Sequence, residues 1–213
     1  YAHAASAYFT SGWKEEDTLV VTMDATGDFL CSRICIVEDG NLRSLHEVRD
    51  YHSPAYLYGQ TTEYLGFMKN RHEGKVIGLA AYEKNPKSYA AIRGMVDYNP
   101  ELKQFIGRLE KGLYAPRFEN PALKEFVSRF PREDVAAAAQ KTLEEVVCAC
   151  VADQNGAGPR LAVAGGIFAN VKLNQRLAEL PNVKELFIFP NMGDGGLALG
   201  AAWLAYVQKT GRR

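Results

Sequence analysis

The sequence predicts an α/β fold, and three observations carry that prediction. A β-branched run, Thr18-Leu-Val-Val-Thr-Met-Asp24, opens a series of strand-like segments joined by short polar turns. Arg132 to Gln154 reads as one long amphipathic helix, with Val135, Leu143, Val146 and Val147 on its apolar side. From Leu161 onward the rhythm becomes strand, helix, strand, helix.

The elements follow in order. Residues 2–9 are Ala-rich and read as a helix that Ser11-Gly12 ends. The strand of Thr18–Asp24 is followed by a turn over Ala25-Thr-Gly-Asp28 and a second strand over Phe29–Val37. Glu38-Asp-Gly-Asn41 is a hairpin signal before a third strand, Leu42–Tyr51. Helices are expected over Tyr56–Phe67 and Lys75–Tyr82, then an irregular excursion over 87–131 that mixes short helical stretches with Pro and aromatics. Leu161–Ala164 reads as a buried strand, Gly165-Gly166 as a turn, and Phe168–Leu180 as a helix stopped by Pro181. Glu185–Phe189 is a strand, Asn191–Gly196 a glycine-rich loop, and Leu197–Gln208 the closing helix. Three antiparallel strands, a helix, then strand-helix-strand-helix is the plan of an RNase H-like domain. Two copies of it make the fold shared by actin, sugar kinases and heat-shock ATPases. One such subdomain fits here, with a helical insertion at about 83–131.

Composition excludes some partners. Lys plus Arg and Asp plus Glu number 25 each among 213 residues, so the formal charge is zero, which argues against a nucleic-acid-binding surface. No apolar run has the length of a membrane span. The chain opens Tyr1-Ala2-His3, with neither an initiator Met nor a signal peptide, so it is expected to start within a longer, cytoplasmic protein. Cys31/Cys35 and Cys148/Cys150 lack zinc-knuckle or redox spacing and read as small buried hydrophobes in a reducing compartment.

Candidate chemistry gathers in a few segments. Asp24, at a strand end beside Thr26 and Gly27, suits a metal ion or a phosphate held by backbone N–H groups; a plain hairpin turn is the alternative. Gly165-Gly166 leads from a strand into a helix, where bare backbone admits an anionic ligand and Asn170 could reach a ribose or base; a tight packing turn is the alternative. Asp194 in its glycine loop is either a metal ligand or a helix N-cap. His3 gains meaning as a ligand only where carboxylates converge on it, and a His–Asp set suits iron, manganese or zinc. In Glu73-Gly-Lys75, the lysine could pair with a phosphate as a point charge or lie solvated at a helix start.

Taken together, these segments resemble one family over essentially the whole chain. They are Ala2-His-Ala-Ala-Ser-Ala-Tyr-Phe9, Asp24-Ala-Thr-Gly27, Leu57-Tyr-Gly with Thr61–Phe67, Glu73-Gly-Lys-Val-Ile-Gly-Leu-Ala-Ala-Tyr82, Ala164-Gly-Gly-Ile-Phe-Ala-Asn170 with Leu173-Asn174, and Pro190-Asn-Met-Gly-Asp-Gly-Gly196 with Gly200-Ala-Ala202. In that order they look like the O-carbamoyltransferases of nodulation-factor and antibiotic biosynthesis, cousins of the tRNA threonylcarbamoyl-transferase. The resemblance implies that residues 1–213 are the second half of an actin-like ATP-binding domain, its first half and the C-terminal adenylating domain lying outside the chain. That second domain would join carbamoyl phosphate to AMP, drawing on ATP, and the first would pass the carbamoyl group to a small-molecule hydroxyl.

By the same resemblance a divalent metal, iron-like, is held by His3, Asp24 and Asp194, with the partner histidine of the motif preceding Tyr1. Asp24 is also the implied catalytic contact to the hydroxyl. Gly165, Gly166, Asn170, Thr26 and Lys75 are the implied nucleotide contacts, and Glu73 a substrate contact. Two positions depart from the family pattern. Ala25 replaces the usual Gly after the first aspartate, and Glu83 the usual Gly after Tyr82. Two rival readings are a tRNA threonylcarbamoyl-transferase, against which the neutral charge speaks, and a non-catalytic nucleotide-binding module.

Overall fold

A computed structural model describes residues 1–13, 17–108, 119–154 and 158–211. The chain divides into two compact units, Tyr1–Val48 with Val151–Arg213, and Arg49–Cys150.

The first unit is built on a mixed five-stranded sheet. Its strands are β1 (Thr18–Gly27), β2 (Leu30–Glu38), β3 (Asn41–Arg49), β6 (Arg160–Ala164) and β7 (Glu185–Ile188), in the order β3-β2-β1-β6-β7. β1 pairs antiparallel with β2 and parallel with β6, and β6 pairs parallel with β7. The parallel trio β1, β6 and β7 therefore opens its carboxyl ends on the same edge, where ligand sites of open α/β sheets form. β1 is longer than its β-branched run suggested. A bulge between Met23 and Gly27 lets the ladder resume at Gly27↔Leu30, so the turn is Asp28-Phe29 rather than Ala25–Asp28. Both turn residues are left-handed, at φ 53° and 62°. The next turn, Asp39-Gly40, repeats that geometry at φ 49° and 73°, as its Asp-Gly pair predicts.

One sheet face is covered by α1 (Ala2–Thr10). Alternation puts Val20, Thr22 and Asp24 on a common face of β1. Val20 packs with Cys35, Val37, Ala162 and Ala164 from the neighbouring strands against Ala4, Ala7 and Tyr8 of α1. The helix is thin where it is enclosed: Ala4, Ala5, Ser6 and Ala7 are all fully buried. Outside it lies α8 (Leu197–Thr210), where Phe9 stacks on Trp203 with ring centroids 5.6 Å apart. At Gly200 the two backbones nearly touch, since a Cβ there would stand 1.9 Å from the Ala2 carbonyl oxygen. α7 (Val171–Ala178) buries Leu173 and Leu177. The expected helix over Phe168–Leu180 is thus two pieces, a 3-10 turn at Gly166–Ala169 and α7, because the Asn170 side chain accepts from Leu173 N–H and starts the helix afresh.

The second unit contains α2 (Pro54–Tyr64), α3 (Glu73–Ala80), α4 (Tyr89–Arg93), a two-stranded sheet of β4 (Val96–Asn99) and β5 (Gln104–Gly107), α5 (Pro121–Arg129) and most of α6 (Arg132–Ala152). The hairpin β4–β5 departs from the expected irregular excursion. Its strands bury Val96, Tyr98 and Phe105 in a two-residue rhythm too short to stand out in sequence, and its turn uses Lys103 at φ 53° in place of a glycine. Asn120 caps α5 by accepting from Leu123 N–H, with Pro121 at the first helical position. Tyr58 Oη donates to Gln140 Oε1 at 2.7 Å in the buried interior.

Three of the four cysteines, Cys31, Cys35 and Cys150, are buried, and none is in a disulfide. Burial pushes the Cys35 thiol up to about 11. Among the described residues no helix is long and apolar enough to cross a membrane.

Two stability predictions follow from this packing. Gly200→Ala should destabilise the first unit by about 1–3 kcal/mol, because backbone rather than a flexible side chain occupies the space; thermal denaturation checks it. In the second unit, Asp134 in the first turn of α6 accepts from Lys87 N–H at 2.6 Å and Ser88 N–H at 2.9 Å. Burial raises its carboxyl, but the hydrogen bonds from Ser88 and Lys87 outweigh burial and hold it below the usual carboxylate range. Its contribution is complete above the unfolded value of about 3.9 and is lost as pH falls through the lower folded value. Asp134→Ala should therefore cost roughly 1–3 kcal/mol at neutral pH, and the difference from wild type should shrink in acid denaturant titrations.

Candidate metal and ligand site

The carboxyl ends of β1, β6 and β7 carry three loops that are tied to one another. Asp24 lies on β1 three residues before its end. β6 runs out into Gly165-Gly166. The segment after β7 leads through Asn191-Met-Gly to Asp194, whose 3-10 turn, Asp194–Gly196, feeds α8. Gly166 N–H donates to Asp24 Oδ2 at 2.9 Å and Ala25 N–H to Oδ1 at 2.7 Å. Gly165 N–H donates to the Met192 carbonyl at 2.6 Å, which joins the second loop to the third. Gly165 sits at φ 112°, and a Cβ there would meet the Met23 carbonyl oxygen at 2.0 Å. Only glycine satisfies both the left-handed backbone and that approach.

His3 enters from the first turn of α1. Its Nε2 lies 3.5 Å from Asp24 Oδ2 and 3.6 Å from Asp194 Oδ1. The three ligand atoms fall within 4.8 Å of one another. Those separations exceed a hydrogen bond. They match donors around a shared ion, since two atoms held about 2.1 Å from a metal at tetrahedral angles stand about 3.4 Å apart. One imidazole and two carboxylates present two negative charges when the histidine is neutral, a donor set for a divalent first-row metal. The side chains of His3 and Asp24 are 16% and 29% exposed and that of Asp194 86%, so the cluster is walled on two sides and open on the third. Burial raises the Asp24 carboxyl, but the contacts from His3, Gly166 and Ala25 together win and keep it below the ordinary range. Asp24 is therefore a standing anion rather than a ready proton acceptor. The other ring nitrogen, His3 Nδ1, is buried and has no hydrogen-bond partner among the described residues.

The other residues singled out from sequence distribute as follows. Asp194 is not the cap of α8: that position is Gly196 and has no side-chain cap. Thr26 stands exposed near the end of β1. Ala25 lies within β1 and is not at positive φ, so its methyl meets no backbone penalty there. Asn170 is 6% exposed and uses its side-chain oxygen to cap α7. Glu73 and Lys75 belong to α3 of the second unit. Glu73 Oε1 accepts from Asn70 N–H at 2.6 Å, and Lys75 Nζ is 3.4 Å from His72 Nδ1. Gly200 and Met192, in the Pro190–Ala202 segment, carry no role readable from sequence; both act through backbone alone.

With this geometry in view, comparison places the chain. It belongs to the carbamoyltransferase N-terminus family, whose model matches residues 1–203. An uncharacterized protein of Methanocaldococcus jannaschii is 33% identical over 97% of the chain, and the nodulation protein NolO of Bradyrhizobium diazoefficiens 31% identical over 94%. The chain spans 36% of the length of each of these relatives. A shorter match, 49% identical over 28% of the chain, is to the tRNA N6-adenosine threonylcarbamoyltransferase of Bordetella avium. Among solved structures, HypF of T. kodakarensis aligns with 99% of this chain and 36% of its own, at a TM-score of 0.50 and 15% identity, a likeness of fold.

The two glycines of the β6 loop separate stability from site geometry. Gly165→Ala should lower the melting temperature sharply, by more than about 2 kcal/mol of stability. In Gly166→Ala the added Cβ would lie 3.2 Å from Asp24 Oδ1, so the carboxylate must shift. That variant should stay folded by circular dichroism and show weakened divalent-metal binding.

Proposed function

We propose that this chain supplies the transfer site of an O-carbamoyltransferase, which moves a carbamoyl group from carbamoyl-adenylate to the hydroxyl of a sugar or other small molecule. The single observation that carries the reading is the convergence of His3, Asp24 and Asp194 at the carboxyl ends of three parallel strands, in a chain of the carbamoyltransferase family. The first unit is inferred to be one RNase H-like half of an actin-like ATP-binding domain. The sheet order and the pairing directions of β1, β6 and β7 support this. The donor, made from carbamoyl phosphate and ATP, would be formed elsewhere in the full-length protein. A reducing, cytoplasmic compartment is proposed, in keeping with four cysteines that are not in disulfides.

His3, Asp24 and Asp194 would hold a divalent metal; the His–Asp donor set suits iron, manganese or zinc, and the family resemblance alone points to iron. When bound, such an ion supplies positive charge against phosphate and alkoxide oxygens. The chain's own residues do the rest. Asp24, its carboxylate oriented by two backbone N–H groups, positions the acceptor hydroxyl and favours the positive charge that gathers there. The exposed backbone at Gly166 gives the AMP moiety a close approach without a side chain in the way. AMP is a good leaving group, so positioning and charge stabilisation matter more than a strong base, which agrees with the lowered Asp24 carboxyl. Glu73 and Lys75 are proposed as secondary contacts to substrate or phosphate.

Elemental analysis with calorimetric ATP titration tests the reading. Wild-type full-length protein should hold stoichiometric iron or a similar metal and bind ATP. Asp194→Ala should lose at least about tenfold in metal affinity and weaken ATP binding with it. Full metal occupancy, ATP affinity and transfer activity in Asp194→Ala would favour the non-catalytic module instead.

A further inference from the structure

Two asparagines stand one helical turn apart at the start of α7, and both are buried. Asn170 caps the helix. Asn174 serves no cap. Its Nδ2 donates to the Phe168 carbonyl, six residues back, at 2.7 Å. Its Oδ1 is buried and has no hydrogen-bond partner among the described residues. A leucine would fill a similar volume without leaving a buried acceptor unpaired, so the amide is kept against that cost.

The bond that Asn174 makes bears on the path of the chain. In one continuous α-helix the Phe168 carbonyl would accept from Lys172 N–H, four residues on. Asn174 supplies a donor from another direction, and the chain runs as a 3-10 turn, Gly166–Ala169, followed by α7. The turn is pinned on both sides. Before it, Gly165 N–H donates to the Met192 carbonyl; within it, Asn174 holds the Phe168 carbonyl. The fully buried Phe168 ring fixes where that residue sits, and the Asn174 bond fixes which way its carbonyl faces. Gly166 lies between the two pins, and its N–H donates to Asp24 Oδ2 at 2.9 Å.

We infer that Asn174 is a positioning residue for the candidate site, holding the Gly166–Ala169 turn so that the Gly166 N–H stays on the Asp24 carboxylate. The inference rests on the metal-site reading above and adds a residue outside the ligand set. Asn174 acts through the backbone of the turn, two residues from the group that orients Asp24.

The test uses full-length protein, first metal-free and then titrated with Mn2+. Hydrogen-exchange mass spectrometry of the metal-free protein reads the turn itself. In Asn174→Leu the peptide covering Ala164–Asn170 should exchange about tenfold faster than in wild type. Calorimetry should show Mn2+ binding about tenfold weaker in Asn174→Leu. Asn174→Asp, which has the same shape and offers no donor when ionised, should lose as much. Leu177→Ala is the control, since it opens a cavity under the same helix and leaves the Asn174 bond alone. It should lower the melting temperature at least as far and keep Mn2+ affinity within about twofold of wild type. Wild-type Mn2+ affinity in both Asn174 variants, or an equal loss in Leu177→Ala, overturns the inference. If wild type binds no Mn2+, the metal-site reading fails, and the exchange data decide on Asn174 alone: an unchanged rate in Asn174→Leu overturns its hold on the turn, and a faster one supports it.

Discussion

The candidate site depends on how closely α1 is pressed between the sheet and α8. His3 has no loop of its own to bring it to the carboxylates. It arrives because the Ala4–Ala7 stretch of α1, three alanines and one serine, can lie close on Val20, Ala162 and Ala164, and because Gly200 lets α8 close over the start of α1 until backbone meets backbone. A larger side chain on either helix would separate the elements by ångströms, and a metal-ligand set tolerates only tenths. The small residues of both helices therefore act on the chemistry through distance.

A second constraint is the cross-tying of the three strand-end loops. Asp24 is oriented by the Gly166 N–H, and Gly165 binds the Met192 carbonyl of the loop that carries Asp194. The Asp24 carboxylate is thus located by backbone N–H groups, and the loop that carries Asp194 is tied to the β6 loop. The contact from His3, with the backbone hydrogen bonds from Gly166 and Ala25, holds the Asp24 carboxyl below its ordinary range despite partial burial. A permanent anion at that point suits the proposed carbamoyl transfer, whose demand is for positioning.

The hairpin tips show a third feature, a conflict between local preference and residue choice. The chain solves one turn with Asp-Gly and leaves the other with Asp-Phe.

By itself the sequence determined the α/β class, the three-strand meander and the long α6 helix, and the resemblance to one family singled out His3, Asp24 and Asp194. The elements are legible because β-branched runs, helical periodicity and glycine punctuation are local properties. Only the tertiary structure decided that β1 continues through a bulge to Gly27, that residues 96–107 form a hairpin, and that Asn170 spends its side-chain oxygen capping α7. It also decided that Asp194 faces His3 instead of capping α8. The Asn170 cap is local, to Leu173 three residues on, whereas the strands turn on their ladders and Asp194 on a neighbouring loop. Chain-local propensity carries no information about such partners, and the approach of α1 to α8 at Gly200 is visible only once both helices are packed.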